Sequence, residues 1–169
     1  CCKGPLAGAD DCKMKVWDSR MGYEAALCVD RRTHEMGVCC LQPHPTREHI
    51  LCSGSYDERV RLWDTRNLRS PSVVAETGTG GGVWRLKWHP TKSQFLLAAC
   101  MHAGFQVLKV SDGFSEVETV ESHTENESLA YGADWMDGTA AGAGRDVVAT
   151  CSFYDRKLHV WSPRCTAGN

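Results

Sequence analysis

A short phrase that repeats along the chain constrains its fold more than any other feature. In its clearest copy, Asp57 leads a stretch of alternating residues that ends in the dipeptide Trp63-Asp64. Val60 and Leu62 alternate there with arginines, which is the period-two pattern of a half-buried strand. The phrase therefore predicts a tight turn at the aspartate, followed by a strand that pairs with the residues before the turn.

The phrase occurs four times, with its turn positions about 45 to 50 residues apart. These positions carry Asp11, Asp57, His102 and Asp155. A run of small and apolar residues precedes each one and predicts another strand. Repeats of this period with Trp-Asp endings are typical of WD-repeat β-propellers, whose blades are four-stranded sheets. The sequence therefore predicts an all-β fold built from propeller blades.

The repeats divide residues 1–169 into about three to four blades. A partial blade covers residues 1–30, and fuller blades follow over residues 34–77, 80–121 and 123–162. A Gly/Ala-rich stretch at residues 137–145 is predicted as a surface insertion in the last blade. Closed propellers have roughly four to eight blades, so the pattern predicts a partial propeller, a fragment of a longer one. The missing blades of its parent chain are then expected partners.

Composition narrows the function classes. A formal net charge of −2 gives no reason to expect nucleic acid or an anionic membrane as a partner. No apolar run reaches the roughly 20 residues of a membrane helix. The ten cysteines include no C-x-x-C pair, so a structural metal site is not expected. No cofactor is expected either. The chain start carries no signal-peptide pattern, which favours reduced thiols in the cytoplasm over a disulfide framework.

Two further motifs have structural interpretations. In the second blade, a histidine, a serine, the turn aspartate and the tryptophan are predicted to form a buried hydrogen-bonded set, namely His34, Ser53, Asp57 and Trp63. Such a set avoids a penalty of about 1–3 kcal/mol for each orphaned polar group, so we do not interpret it as a hydrolase triad. The glycine run at residues 77–82 is predicted to be flexible. It lacks the Lys-Ser/Thr ending of a phosphate-binding loop.

The wording of the repeats is more specific than the fold. The informative phrases are REHIL at 47–51, GSYDE at 54–58, GVWRLKWHP at 82–90, LAACMH at 97–102, YGADW at 131–135 and ATCSFYD at 149–155. They resemble the diphthine methyl ester hydrolase of diphthamide biosynthesis, a WD-repeat family. The resemblance extends from about residue 7 to about residue 161 and matches the C-terminal part of that family's propeller.

The resemblance implies a function. Such proteins are carboxylic ester hydrolases that remove a methyl ester from methylated diphthine on translation elongation factor 2, their protein substrate, in the cytoplasm. A chain that lacks blades is expected to be inactive alone. The alternative is a non-catalytic WD-repeat scaffold that mediates protein–protein interaction.

Ester hydrolysis needs a base and a nucleophile or activated water. His102 replaces the turn aspartate in the one copy that lacks both the aspartate and the tryptophan, and imidazole chemistry suits neutral pH. The sequence therefore suggests His102 as the general base, with Asp134 orienting it. Cys100 and Cys151 are alternative nucleophiles, although cysteines on buried strands are usually inert.

The residue before each turn position is expected to face the top surface of the propeller. These residues are Asp10, Tyr56, Met101 and Tyr154. Diphthine carries a trimethylammonium group, which aromatic faces attract. We therefore expect Asp10, Tyr56 and Tyr154 to bind the substrate cation, with contact to a protein partner as the alternative. Arg85, on an inner strand, is expected either to contact an anion or to stay hydrated.

Overall fold

The computed structural model describes residues 5–17, 26–136 and 145–166. Every regular element in these residues is a β-strand, and the strands form four antiparallel sheets. The all-β prediction is therefore confirmed. Asp18, the end of the first copy of the repeated phrase, lies outside the described residues, as does almost all of the Gly/Ala-rich stretch.

The four sheets follow one another along the chain, and the strands within each sheet pair in chain order. The first sheet contains β1 (Leu6–Gly8), β2 (Met14–Val16) and β3 (Cys28–Asp30). The second contains β4 (Val38–Pro43), β5 (Ile50–Ser55), β6 (Arg59–Asp64) and β7 (Ser72–Gly78). The third contains β8 (Arg85–Trp88), β9 (Phe95–Ala99), β10 (Phe105–Val110) and β11 (Val117–His123). The fourth contains β12 (Ala130–Trp135), β13 (Val148–Ser152) and β14 (Leu158–Trp161).

The inner strands β4, β8 and β12 lie next to one another, as the blades of a propeller do. We call the end of the sheets that carries the β5–β6, β9–β10 and β13–β14 turns the top face. The turn positions of the repeated phrase therefore all lie on this face. In the described residues, the first strand of the first sheet is the equivalent of β5.

The hydrophobic core lies between the sheets. Its buried residues form three clusters, and each cluster draws on two consecutive sheets. Examples of such shared membership are Met14 with Leu51, Leu62 with Leu86, and Phe105 with Val148. The outer strand β7 has exposed positions along its length, whereas β5 and β9 are buried almost throughout, because the neighbouring blades cover the faces of each sheet.

Two glycines set the spacing between neighbouring blades. A Cβ at Gly8 would lie 2.5 Å from Cγ1 of Val38, and a Cβ at Gly54 would lie 2.5 Å from Cγ1 of Val83. Both contacts are far closer than van der Waals distance. A glycine in close contact with a valine of the next blade thus occurs in two successive repeats. A side chain at either glycine would push the start of the next blade away.

Three of the four polar residues predicted to bond in the second blade do so. Nε2 of His34 lies 2.9 Å from Oγ of Ser53, and Nε1 of Trp63 donates to the same oxygen at 2.8 Å. The rings of His34 and Trp63 stack with their centroids 5.5 Å apart. All three residues are buried. This part of the predicted set is confirmed.

Asp57 has other partners than predicted. Its carboxylate accepts a hydrogen bond from Arg61 at 2.8 Å and one from the backbone N–H of Glu35 at 3.1 Å. The side chains of Asp57 and Arg61 are both almost fully buried. The aspartate therefore joins the turn to the segment before β4 and neutralises a buried arginine, instead of bonding to the histidine.

The prediction that residues 77–82 are flexible is wrong. Thr77 and Gly78 belong to β7, and Thr79 is buried. The backbone N–H of Thr79 donates to the carbonyl of Glu58 at 2.9 Å, and the Gln106 amide donates to the Thr79 carbonyl at 2.8 Å. Composition alone misses this order because the partners are distant in the sequence.

We expect Ser53→Ala to lower the free energy of unfolding by about 1–3 kcal/mol, because it orphans two buried donors or acceptors, on His34 and Trp63. Urea denaturation measures the change. Ser72→Ala, at an exposed site on β7 of the same sheet, is the matched control and should change the value by less than about 0.5 kcal/mol. Equal losses in the two variants would contradict the structural role of Ser53.

Stability should also fall in mildly acidic solution. Burial lowers the pKa of His34, with a further contribution from Arg61, and burial lowers the pKa of His89 against the opposing charge of Asp146. The unfolded imidazoles, with a pKa of about 6.5, then bind protons more readily than the folded ones. The stability that the two neutral histidines contribute is fully present above the unfolded pKa and is lost as the pH falls through their folded pKa values. Urea denaturation at about pH 7.5 and about pH 5.5 tests the prediction. A higher free energy of unfolding at the acidic pH would contradict this prediction.

Candidate functional site

Five aromatic side chains form a continuous row on the top face. We call this row the aromatic rim; it consists of Tyr56, Trp84, Tyr131, Phe153 and Tyr154. The centroids of consecutive rings are 5.9, 4.9, 6.3 and 5.1 Å apart. Their planes are inclined at 63° to 85°, the edge-to-face geometry that aromatic pairs favour. The rings therefore form one packed surface.

The rim crosses three blades because its rings come from equivalent ends of different sheets. Tyr56 lies in the turn after β5, Trp84 lies just before β8, and Tyr131 lies near the start of β12. Phe153 and Tyr154 follow β13 and are 69% and 68% exposed, whereas the other three rings are half-buried. One end of the row is thus packed against the propeller, and the other end projects into solvent.

Asp10 lies beside the first ring of the rim. A Cβ at Gly37 would lie 3.1 Å from Oδ1 of Asp10 and 3.3 Å from Cδ2 of Tyr56, so these two side chains flank the same glycine. Burial raises the pKa of the Tyr56 hydroxyl, and the nearby Cys39, Asp10 and Tyr131 raise it further. The packed end of the rim is therefore a site where negative charge and aromatic faces occur together.

Met101 meets the rim at a second glycine. A Cβ at Gly82 would lie 2.7 Å from Sδ of Met101 and 3.2 Å from Cδ1 of Tyr56. Three of the residues expected at the top face, namely Asp10, Tyr56 and Met101, are thus brought together. Tyr154 lies at the far end of the rim, where its described ring contact is with Phe153.

His102 lies in the turn between β9 and β10, with its side chain 63% exposed. Its Nε2 is 3.9 Å from Oε1 of Glu58, which belongs to the turn of the preceding blade; this is too long for a hydrogen bond. Asp134 lies near the opposite end of its strand and binds Lys87 Nζ at 2.8 Å. The structure does not bring Asp134 to His102. The catalytic roles suggested for the two remain untested predictions.

Arg85 is exposed at the start of β8 and forms no ion pair with any residue in the described ranges. It lies close enough to Cys40 on β4 for its charge to favour the thiolate, although burial dominates and raises the pKa of Cys40 to about 12. Lys87, its neighbour on the same face of β8, is neutralised by Asp134. Arg85 is therefore the inner-strand cation that is free to meet an anionic group.

The two candidate nucleophiles have opposite environments. Cys100 is fully buried, and burial raises its pKa to about 12. Such a thiol is protonated at neutral pH and is a poor nucleophile. Cys151 is exposed on β13.

Sequence reasoning missed the central pair of the rim. β8 begins only at Arg85, and Trp84 lies half-buried at the top end of that strand. Tyr131 was noted only as part of a phrase. The available signal was that each lies at the top end of an inner strand, level with the turn of the preceding blade.

Comparison with known proteins confirms the predicted fold class. Residues 27–64 match the family described as "WD domain, G-beta repeat". A chain in the crystal structure of the mitotic checkpoint complex is 16% identical, with a TM-score of 0.76 over 95% of this chain and 45% of that one. The structure of Saccharomyces cerevisiae Sqt1 is 14% identical, with a TM-score of 0.76 over 92% of this chain and 41% of that one. At this identity the likeness concerns the fold alone.

More similar relatives have a shared name. "Diphthine methyltransferase" of Homo sapiens is 48% identical over 132 residues, which cover 76% of this chain and 28% of that protein. "Diphthine methyltransferase homolog" of Dictyostelium discoideum is 35% identical over 172 residues, which cover 94% of this chain and 46% of that protein. The chain is a partial WD-repeat propeller homologous to the diphthine methyltransferases. It spans less than half the length of these curated relatives.

The homology corrects the expected enzyme class. Proteins named diphthine methyltransferase from five organisms are similar to the chain. That name describes transfer of a methyl group, which contradicts the carboxylic ester hydrolase expected from the sequence. The resemblance to WD-repeat proteins of diphthine metabolism is confirmed. In the described part of the chain, there is no helix with the length and apolar character needed to cross a membrane.

The turn that carries Met101 and His102 should depend on the glycine beneath it. A Cβ at Gly81 would lie 2.2 Å from the carbonyl oxygen of Cys100 and 3.0 Å from the backbone nitrogen of Ala103. We expect Gly81→Ala to lower the free energy of unfolding by about 1–3 kcal/mol through overpacking. Gly78→Ala is the control in the same glycine run, because a Cβ there meets nothing within 4 Å. Urea denaturation of both variants compares them, and an equally stable Gly81→Ala variant would disprove the close packing.

Proposed function

We propose that these blades form the recognition face of a protein that acts on methylated diphthine, carried by translation elongation factor 2, in diphthamide biosynthesis. The observation that carries the proposal is the packed end of the aromatic rim, where Tyr56, Trp84 and Tyr131 lie beside Asp10. The names of the relatives support diphthine as the substrate. The elongation factor follows as the protein that carries this modified histidine.

The rim has the properties that a quaternary ammonium group requires. Such a cation is attracted to aromatic faces within about 6 Å of a ring centroid, and tryptophan attracts it most strongly. The Trp84 and Tyr131 rings, with centroids 4.9 Å apart and planes inclined at 63°, would provide two walls of a cation site. Tyr56 provides a third wall, and the Asp10 carboxylate adds charge attraction. These features support a role in binding the trimethylammonium group of diphthine.

Arg85 suits the other end of the substrate. The carboxyl group of methylated diphthine is a neutral methyl ester, and a guanidinium can donate a hydrogen bond to its carbonyl oxygen. Arg85 adjoins Trp84 in the sequence and is exposed without an ion partner in the described ranges. We assign it to the ester carbonyl of methylated diphthine.

The exposed end of the rim suits a protein surface. Phe153 and Tyr154 project into solvent, beyond the proposed cation site. Exposed aromatic side chains are enriched at protein–protein interfaces. We therefore propose that they contact the elongation factor around its modified histidine. Binding of the protein surface and binding of the diphthine side chain would then use one continuous surface.

The proposal also implies a location. Translation elongation takes place in the cytoplasm, so a protein that binds its elongation factor would act there. The eight described cysteines carry free thiols, which is consistent with a reducing compartment.

Binding to purified elongation factor 2 with and without methylated diphthine tests the proposal. The longest expressed form of the protein is immobilised, and affinities are compared by interferometry. Trp84→Ala should weaken binding of the modified factor by roughly 10- to 30-fold, the equivalent of a desolvated cation–π contact. Trp84→Phe keeps a ring and should lose much less. Val74→Ala, on β7 away from the rim, is the control for a general surface effect.

The outcomes separate the two parts of the proposal. A preference for the modified factor that disappears in Trp84→Ala supports recognition of the cation. Equal affinity for modified and unmodified factor contradicts the cation site and leaves only docking. Absence of binding to both forms by a folded protein contradicts the whole proposal.

A further inference from the structure

A second group of polar side chains lies away from the aromatic rim, where the third and fourth sheets meet. It consists of His123 at the end of β11, Glu125 just after it, and His159 on β14. Nε2 of His123 and Nδ1 of His159 are 3.0 Å apart. One ligand atom from each of the three residues lies within 4.8 Å of the other two.

The fourth blade uses its histidine differently from the second blade. His34 of the second blade directs Nε2 to Ser53, the serine that also accepts the tryptophan N–H. In the fourth blade, the Trp161 N–H goes to Thr150 Oγ1 at 3.2 Å. The histidine Nε2 instead shares a hydrogen bond with Nδ1 of a second imidazole, on His159, which a bound ion would replace.

The position of His123 is fixed by packing. Its ring stacks on that of Trp161, with centroids 4.6 Å apart and planes inclined at 11°. His159 stands opposite Thr150 in the β13–β14 pair, so its backbone position is fixed by the sheet. The two nitrogen atoms therefore meet because their elements bring them together. A preorganised pair of this kind loses little conformational entropy when it binds a ligand.

We propose that His123, His159 and Glu125 form a binding site for a divalent transition-metal ion, with Zn²⁺ as its best fit. Zn–N bonds of about 2.0–2.1 Å in a tetrahedral site place two ligand nitrogens roughly 3.3 Å apart, close to the separation here. Two imidazoles and a carboxylate are a ligand set that zinc accepts, with the fourth position open to water. Glu125 is exposed, so its side chain can rotate toward the ion.

The site would have a structural effect on the last described blade. Two of its ligands, His123 and Glu125, lie at the end of β11 and just after it, in the segment that leads to β12. The third ligand, His159, lies on β14 of the fourth sheet. A bound ion would join the two and add to the contacts between the third and fourth blades. Because the three ligands come from separate positions without a zinc-motif spacing, sequence reasoning expected no metal.

Zinc titration of the longest expressed form of the protein, in competition with a chromophoric chelator, tests the site. We expect one ion to bind, and His159→Gln and Glu125→Gln each to weaken binding by roughly 10-fold or more. His49→Gln removes an exposed histidine far from the cluster in the sequence and should leave the affinity unchanged. Cys151→Ser removes an exposed thiol and should also leave it unchanged.

Two further measurements identify the ligands independently of affinity. Cobalt(II) bound to imidazole and carboxylate lacks the intense thiolate charge-transfer absorption in the near ultraviolet. Thermal unfolding should shift to higher temperature with zinc in the unsubstituted protein but not in His159→Gln, because the ion stabilises only the state that binds it.

Each outcome decides the proposal. Loss of zinc binding in the His159 and Glu125 variants, with retention in both controls, supports it. Equal affinity in all variants, or loss in Cys151→Ser, overturns it because the ion then lies on other side chains. Absence of zinc binding by the unsubstituted protein also overturns it.

Discussion

Packing between consecutive sheets is the constraint on which the rest of this structure depends. Each sheet buries its apolar face against the next one, and the three core clusters all lie between sheets. The close contact needs small residues where an inner strand crosses the previous blade, as at Gly8 and Gly54. Hydrogen bonds within a blade, such as those that converge on Ser53, then hold the strands in register. The stability of one blade is therefore inseparable from that of its neighbours.

The strands and the repeat could be predicted from sequence because their signals are local. Alternating residues, the turn aspartates and the Trp-Asp ending fix strands and turns over a few residues. The partners of Asp57 and the order of residues 77–82 could not, because they depend on contacts between distant segments. The fourth blade also departs from the repeat in a way that the sequence does not show. Alignment on the turn aspartates matches Cys151 to Ser53, but its turn is one residue longer, and Thr150 takes the serine's place.

The candidate site was predictable only where it repeats. Asp10, Tyr56 and Met101 occupy equivalent positions in three blades, and repeat logic correctly placed them on one face. Trp84 and Tyr131 have no aromatic counterpart at the start of β4, so their one signal was a position at the top end of an inner strand. The expected pairing of His102 with Asp134 concerned side chains from different strands. Strand patterns do not determine such distances, and Lys87 binds the carboxylate instead.

The rings of the aromatic rim belong to three separate sheets, and this has a mechanical consequence. Their spacing is set by the angle between blades, so the surface exists only while the blades keep that angle. A ligand that touches Tyr56 and Tyr131 together binds the packed arrangement and not one in which the blades have separated. Its binding free energy is then added to the free energy that keeps the blades together. Occupancy of the rim and cohesion of the propeller are therefore thermodynamically linked, and each strengthens the other.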